Sequence, residues 1–183
     1  RGLGDVYKRQ VPEGVTVLQQ PVQNIYLVST SAMDLFLHLD ALDSIALSGT
    51  RAEGWYLDEA KQAMQSGRIA YAGKYSAPDY ERILTAECGL AVENTMIYHT
   101  PEVKEQLEEL GVPVLVERSS YESHPLGRME WLKLYGVLLG REDQAQERFR
   151  QTLDRLAPVL DQEGTGKTVA FFYITSNGGI NVR

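Results

Sequence analysis

The sequence has little cysteine, no long apolar run and no excess of basic residues. Cys88 is the only cysteine among 183 residues, which excludes an intramolecular disulfide framework and a cysteine-rich zinc motif. It stands at the entry to an apolar run, in TAECGLAV, where a buried small hydrophobic residue is the expected role. No apolar run approaches the roughly 18 residues that a membrane-spanning helix needs.

Basic residues are outnumbered by acidic ones. The chain has 18 Lys and Arg against 25 Asp and Glu, a formal net charge of -7. Proteins that bind nucleic acid concentrate positive charge to displace counterions from the phosphates, so this balance argues against a nucleic-acid partner. A hydrophobic content of 43% with 23% charged residues is ordinary for a globular protein.

Both ends of the sequence have an unusual form. RGLGDVYKRQ does not begin with Met and resembles a translated adapter sequence, so we expect residues 1–20 to be an artefactual or disordered segment. The last residues, TVAFFYITSNGGINVR, stop just after a predicted strand and turn. We therefore expect the chain to be a fragment of a longer protein.

Short apolar, β-rich runs alternate with helical patterns through the first 120 residues. The predicted strands are NIYLVST, DSIALSG, RIAYAG, GLAVENT and VPVLVE. The clearest helix is TPEVKEQLEELG, in which Thr100 is the N-cap, Pro101 lies in the first turn and Gly111 ends the helix. This alternation predicts an α/β fold, a Rossmann-like βαβ lobe with a mainly parallel sheet.

The pattern changes after residue 126 to consecutive helices. The second helix, REDQAQERFRQTLDRLAPVL, has a strong apolar stripe, and Pro158 is expected to end or kink it near residues 155–157. We predict an N-terminal lobe over residues 21–141, a lobe-connecting helix over 142–162, and over 163–183 the first strand of a second, truncated C-terminal α/β lobe.

Ligands of parallel α/β sheets bind outside the carboxyl ends of the strands. This rule brings four loops to one edge: residues 30–31, 73–79, 94–100 and 118–125. Tyr75, Tyr98 and Tyr121 fall on three of these loops and predict a concave aromatic site. His99 and His124 fall on the same edge, where they could face one small molecule or ion.

Three catalytic or metal patterns are weaker. GTGKT at 164–168 lacks the first glycine of a phosphate loop and precedes a strand instead of following one. SSYESHP contains Ser120, Glu122 and His124, but residues so close on one loop do not preorganise a triad, and no nucleophile elbow is present. A metal site would draw on His38, His99 and His124; polar contact of the last two with a bound ligand is favoured over direct ligation.

Four stretches in order carry a family resemblance: NIYLVSTSAMDLFLHLDALDSIALSG, APDYERILTAECGLAV, TPEVKEQLEELGVPVLVE and GRMEWLKLYGVLLGREDQAQERF. Together they resemble the substrate-binding proteins of ABC importers for iron complexes and vitamin B12. One departure is that Cys88 and Gly89 replace a Pro-Asp pair of the family pattern, which leaves the strand intact.

The resemblance implies a binding protein and no catalysis. Such proteins capture a ligand between two lobes and deliver it to a membrane permease, which is coupled to an ATPase subunit, so no cofactor is expected. It implies an extracytoplasmic protein, in the periplasm or as a cell-surface lipoprotein, that is membrane-associated only through an N-terminal anchor outside this sequence. Glu102 matches a surface glutamate that docks on permease arginines.

The cargo stays open between an iron-siderophore, heme and a corrinoid. An anionic iron chelate or heme propionates suit an arginine, which pairs with carboxylates in a bidentate manner. A metal-binding protein or a hydrolase using the same cleft is the alternative from another class. The predicted ligand-binding residues are Ser31, Tyr75, Tyr98, His99, Tyr121, His124 and Arg128.

Overall fold

The computed structural model describes residues 12, 14–164, 166–175 and 177–182. More than half of the predicted segment 1–20 and Thr165 of GTGKT lie outside the described residues. The chain divides into two compact units, Arg1–Arg150 and Gln151–Arg183, and each is described by itself.

The described part of the first unit contains seven strands. They are β1 (Ile25–Leu27), β2 (Ile45–Ser48), β3 (Ala70–Tyr71), β4 (Gly73–Lys74), β5 (Ala77–Pro78), β6 (Ala91–Glu93) and β7 (Val114–Val116). Five of them form one sheet in the order β3-β2-β1-β6-β7, with every neighbouring pair parallel. The predicted α/β fold with a mainly parallel sheet is confirmed.

Helices connect these strands and cover the sheet. They are α1 (Met33–His38), α2 (Asp58–Gln65), α3 (Tyr80–Thr85), α4 (Pro101–Glu109), α5 (Pro125–Leu139) and α6 (Glu142–Leu160). Local signals set their ends: the Asp79 side chain caps α3 by accepting from the Arg82 N–H at 3.0 Å, and Gly67 follows α2 with φ of 77°. None of the described helices is both long and apolar enough to cross a membrane.

The sheet is buried on both faces, as parallel sheets require. Ile25 and Leu27 of β1 point into one apolar core, where the rings of Phe36 and Tyr135 lie 4.9 Å apart. Tyr26 points into a second core on the other face. Because neighbouring residues of one strand contribute to opposite cores, the strands are almost continuously apolar.

One expectation about an individual element was wrong. Residues 73–79, expected as a loop, contain the antiparallel hairpin β4–β5, whose two-residue strands are too short to show a sequence pattern. The helix α6 spans Glu142–Leu160, close to the predicted range 142–162, and Pro158 does not end it near residues 155–157. Pro158 lacks only one N–H donor, and a single lost hydrogen bond so near the end does not terminate the helix.

The second unit contains the end of α6 and an antiparallel hairpin, β8 (Phe172–Ile174) and β9 (Ile180–Val182). The strand predicted in TVAFFYIT is confirmed, and β9 extends it beyond the predicted turn. All side chains of β8 and β9 are exposed. The domain boundaries at residues 141 and 162 stay predictions.

The contact between α5 and α6 within the first unit depends on a missing side chain. A Cβ at Gly136 would lie 2.5 Å from the Ala145 Cβ, whereas a Cβ at Gly127, in the same helix, would meet only the Glu122 carboxylate at 3.2 Å. Gly136→Ala should lower the free energy of unfolding by roughly 1–2 kcal/mol, because overpacking outweighs a helix-propensity gain of about 1 kcal/mol.

Gly127→Ala is the matched control and should be neutral or stabilising in the same denaturant titration. Equal effects of the two substitutions would show that α5 and α6 are not in close contact at Gly136.

Candidate functional site

The candidate site lies at the carboxyl ends of the strands, where the strand order reverses. From β1 the chain builds β2 and β3 on one side and then crosses back to place β6 and β7 on the other. The loops that follow β1 and β6 therefore diverge from adjacent strands, which opens a crevice at this edge. Four polar segments reach it, and three of them contain short 3-10 turns, Thr30–Ala32, Thr95–His99 and Ser119–Tyr121.

Glu117, the residue after β7, connects the loops around this crevice. Its side chain is buried and accepts hydrogen bonds from the Ser29 hydroxyl at 2.8 Å and the Ser31 hydroxyl at 2.5 Å. The Ser119 N–H donates to its other oxygen at 2.7 Å. Three donors on one buried group are the pattern of an ionised carboxylate, which only accepts.

Tyr135 of α5 belongs to the same surroundings. Burial, and after it the negative charge of Glu117, raise the pKa of its phenol. Its hydroxyl has no hydrogen-bond partner among the described residues. The Glu117 carboxylate thus has a neutral, unpaired phenol nearby in addition to its three donors.

Glu93, the last residue of β6, has the opposite environment. It is completely buried, and neither carboxyl oxygen has a hydrogen-bond partner among the described residues. Burial raises the pKa of Glu93 to about 8, so the side chain is protonated at neutral pH. Tyr26 from β1 and Tyr80 from α3 lie within electrostatic range of it.

Neither carboxylate was identified from the sequence as a site residue. Glu93 and Glu117 each end an apolar strand run, LAVE and VLVE, and a charged residue at that position is the signal that could have identified them. The partners of Glu117 come from Ser29 and Ser31, more than 80 residues earlier, which no local pattern reveals.

The predicted tyrosines all lie on loops at this edge, in different settings. The Tyr121 hydroxyl is 2.7 Å from the Thr95 hydroxyl, which ties the loop after β7 to the loop after β6. The Arg118 guanidinium lies 5.8 Å from the centre of the Tyr121 ring, and the ring is exposed. Tyr98 is also exposed, whereas Tyr75, in the β4–β5 turn, packs partly against the core.

The predicted histidines and arginine lie on the same side of the fold. His99 is exposed at the end of the 3-10 helix Thr95–His99. His124 caps α5, its Nδ1 accepting from the Leu126 N–H at 3.1 Å, which leaves Nε2 for other contacts. Arg128 is exposed on the first turn of α5. Their contact with a ligand stays a prediction.

The structure does not support the weaker catalytic and metal patterns among the described residues. Glu122 accepts from the Trp131 indole N–H at 2.9 Å, so Glu122 and His124 both serve the start of α5 instead of activating Ser120. Among the described residues, no three His, Cys, Asp or Glu side chains come together as metal ligands.

A cavity of about 380 Å³ opens at the opposite edge of the sheet, beside Cys88 and Gly111. As expected, Cys88 is buried, and its thiol contacts the Leu90 carbonyl oxygen at 3.4 Å. The cavity lies at the amino ends of the strands and contains no buried charged side chain, so it is a weaker candidate than the carboxyl edge.

Comparison with known proteins supports the fold. No family model matches the chain. An uncharacterised lipoprotein of Methanocaldococcus jannaschii is 19% identical over 165 residues, covering 85% of this chain and 38% of that protein.

Two solved structures are similar at low sequence identity. The periplasmic heme-binding protein HutB of Vibrio cholerae has a TM-score of 0.64 at 19% identity, covering 87% of this chain and 58% of that chain. The periplasmic catecholate-siderophore binding protein VctP of Vibrio cholerae has a TM-score of 0.67 at 16% identity, covering 91% and 57%. The chain has the fold of these binding proteins over little more than half of their length.

The buried Glu93 generates a test of stability against pH. Its pKa is raised in the folded state, so between about pH 4.5 and 8 the folded protein keeps a proton that the unfolded chain releases, and stability falls as pH rises. Glu93→Gln removes this titration. The free energy of unfolding of the variant, relative to that of the wild type, should therefore rise from pH 5 to pH 8, by on the order of a few kcal/mol at pH 8.

Denaturant unfolding at several pH values measures the difference. Glu105→Gln, which changes an exposed carboxylate on α4, is the control and should show little change with pH. A difference between Glu93→Gln and wild type that does not vary with pH would contradict the environment described for Glu93.

Proposed function

We propose that this chain is the ligand-binding lobe of a substrate-binding protein for an ABC importer, and that its cargo is an iron complex, either heme or a ferric siderophore. The observation that carries the proposal is the set of polar and aromatic loops at the strand-order reversal, in a lobe with the fold of heme- and siderophore-binding proteins. The proposed role is binding and delivery, without catalysis.

The side chains at the edge favour a flat or aromatic anionic ligand. Tyr98 and Tyr121 offer exposed rings, which give contact area together with a hydroxyl for hydrogen bonding. Arg118, beside Tyr121, and Arg128 offer guanidinium groups that pair with carboxylates or catecholate oxygens. The chain as a whole has a net charge of -7, so an anionic ligand would depend on local cations such as these two arginines.

Iron would enter this site as part of the cargo. Hydrogen bonds and ring contacts to the periphery of a chelate require no protein ligands to the metal, and the Tyr, His and Arg side chains of the loops supply them. An extracytoplasmic location and attachment as a lipoprotein follow from the same proposal and are supported by the name of the archaeal relative. The partners are then a membrane permease and, through it, an ATPase subunit.

Ligand titration tests the proposal. Purified protein is titrated with hemin, a ferric tris-catecholate and cobalamin, and binding is followed by absorbance and by the fluorescence of Trp131, whose indole contacts the crevice loop through Glu122. One iron complex should bind at a 1:1 ratio. Preferential binding of cobalamin would favour a corrinoid cargo, and stoichiometric zinc or substrate turnover without any complex bound would contradict the proposal.

A substitution in the crevice localises the binding. Tyr121→Ala should weaken the affinity for the bound complex about tenfold, because an aromatic contact is worth roughly 1–1.5 kcal/mol. Tyr56→Ala is the matched control, since Tyr56 is 99% exposed and lies outside the four predicted loops. Equal effects of the two substitutions on Kd would remove Tyr121 from the site.

Glu102 is proposed to dock on the permease. It is exposed in the first turn of α4, where a carboxylate is favoured by the helix dipole and is free to meet a cationic partner. Glu102→Ala should leave ligand affinity unchanged and reduce ligand-stimulated ATPase activity of the reconstituted transporter.

Glu105→Ala, on the same helix and equally exposed, is the control and should change neither quantity. Loss of ligand affinity in Glu102→Ala would place Glu102 in the binding site instead.

A further inference from the structure

The hydrogen bonds at Glu117 join segments that the sheet itself does not join. Ser29 and Ser31 follow β1, and Glu117 follows β7, but β6 lies between these strands in the sheet. The carboxylate therefore reaches across the end of β6, the strand that lies between β1 and β7. Its other oxygen holds the Ser119 N–H at the start of the turn that leads to Tyr121.

The two serine hydroxyls lie side by side and share one acceptor. The Ser29 and Ser31 oxygens are 2.9 Å apart, and both hydroxyl hydrogens can point to the same carboxylate oxygen. Ser29 is 1% exposed and cannot reach a ligand, whereas Ser31 is partly exposed at the edge. The orientation of the Ser31 oxygen is thus set by a carboxylate that is itself out of reach of the ligand.

Stability alone is a poor account of this arrangement. Burying a carboxylate costs several kcal/mol in lost hydration, and apolar replacements of buried charged groups are often neutral or stabilising. Glu93, the neighbouring buried glutamate, has no hydrogen-bond partner among the described residues, so the fold accommodates a buried glutamate at this sheet end without a set of donors around it. What the Glu117 cluster adds is a fixed relation between the loops after β1 and β7.

We infer that Glu117 is the positioning residue of the crevice: one buried carboxylate fixes the loops after β1 and β7 relative to each other and so preforms the surface that receives the ligand. The inference rests on the proposed function for its consequence, ligand affinity. The coupling of the two loops is a property of the unliganded protein and can be measured without any ligand.

The experiment compares Ser29→Ala, Glu117→Gln and the wild type by hydrogen exchange of backbone amides in residues 29–33 and 119–122. Ser29→Ala should speed exchange in both segments, although the substitution lies in only one. Glu117→Gln should have the larger effect, because the NH₂ of the new amide is a donor and would face the Ser29 and Ser31 hydroxyls or the Ser119 N–H, which are donors too. If it fails to fold, Ser31→Ala takes its place, since that hydroxyl lies at the surface.

The matched control is Ser44→Ala. Ser44 is also a buried serine with a single donated hydrogen bond, to the Ala41 carbonyl oxygen at 2.6 Å, but it lies at the opposite edge of the sheet. Ser44→Ala, like Ser29→Ala, should lower the free energy of unfolding, but it should not change amide exchange in either crevice loop. Faster exchange confined to residues 29–33 in Ser29→Ala, or the same exchange pattern in Ser44→Ala, would overturn the inference.

Affinity for hemin and for a ferric tris-catecholate is measured on the same variants. Ser29→Ala should weaken binding of the probe about fivefold or more, because the loop after β1 is no longer fixed to Glu117, whereas Ser44→Ala should leave the affinity unchanged. Unchanged affinity in Ser29→Ala overturns the positioning role. If the wild type binds neither probe, the proposed function fails, and the exchange data still decide whether Glu117 couples the loops.

Discussion

Because β1 pairs with β2 on one side and with β6 on the other, the chain must cross back over the sheet after β3, and the loops after β1 and β6 leave in opposite directions. Every feature of the candidate site follows from this constraint. It opens the crevice and separates the β1 and β7 loops by one strand, β6. A single long side chain from the end of β7 then suffices to connect them, and Glu117 does so.

Two glutamates of the same sheet end illustrate how environment decides the state of a carboxyl group. Glu93 and Glu117 follow adjacent strands and are both buried, but they point to opposite faces of the sheet. Glu117 meets two hydroxyls and an N–H, the surroundings of a carboxylate. Glu93 meets apolar side chains and tyrosines, and burial keeps it protonated. The first joins loops, and the second makes stability depend on pH.

The sequence predicted those parts of the fold that are specified by local patterns. Apolar runs of three to five residues, Gly67 and Gly111 after their helices, and Pro101 in a first turn all locate elements within a few residues, and the alternation of strands and helices predicts the parallel sheet. The hairpin β4–β5 was missed because two-residue strands leave no periodicity. The helix α6 continues past Pro158 to Leu160, because one lost hydrogen bond is a weaker penalty near a helix end than in its middle.

The candidate site was predictable only in outline. The rule for parallel sheets placed Tyr98, Tyr121, His99 and His124 on the loops at the carboxyl edge, where their contact with a ligand stays a prediction. It could not show that His124 also caps α5. Glu117 and Glu93 were missed as site residues: each ends an apolar run, but their different surroundings depend on the partners that each side chain meets in three dimensions. For Glu117 those partners are contributed by a loop more than 80 residues away.

The central claim is that an iron complex binds at the carboxyl edge of this sheet. Nuclear magnetic resonance with a matched pair of chelates tests it directly, using a ferric complex and its diamagnetic gallium(III) equivalent. The account predicts that the ferric form selectively broadens the amide signals of residues 29–32, 94–100 and 118–125, while those beside the cavity at Cys88 and Gly111 are the least affected. Broadening centred on that opposite cavity, or none at any site, would contradict it.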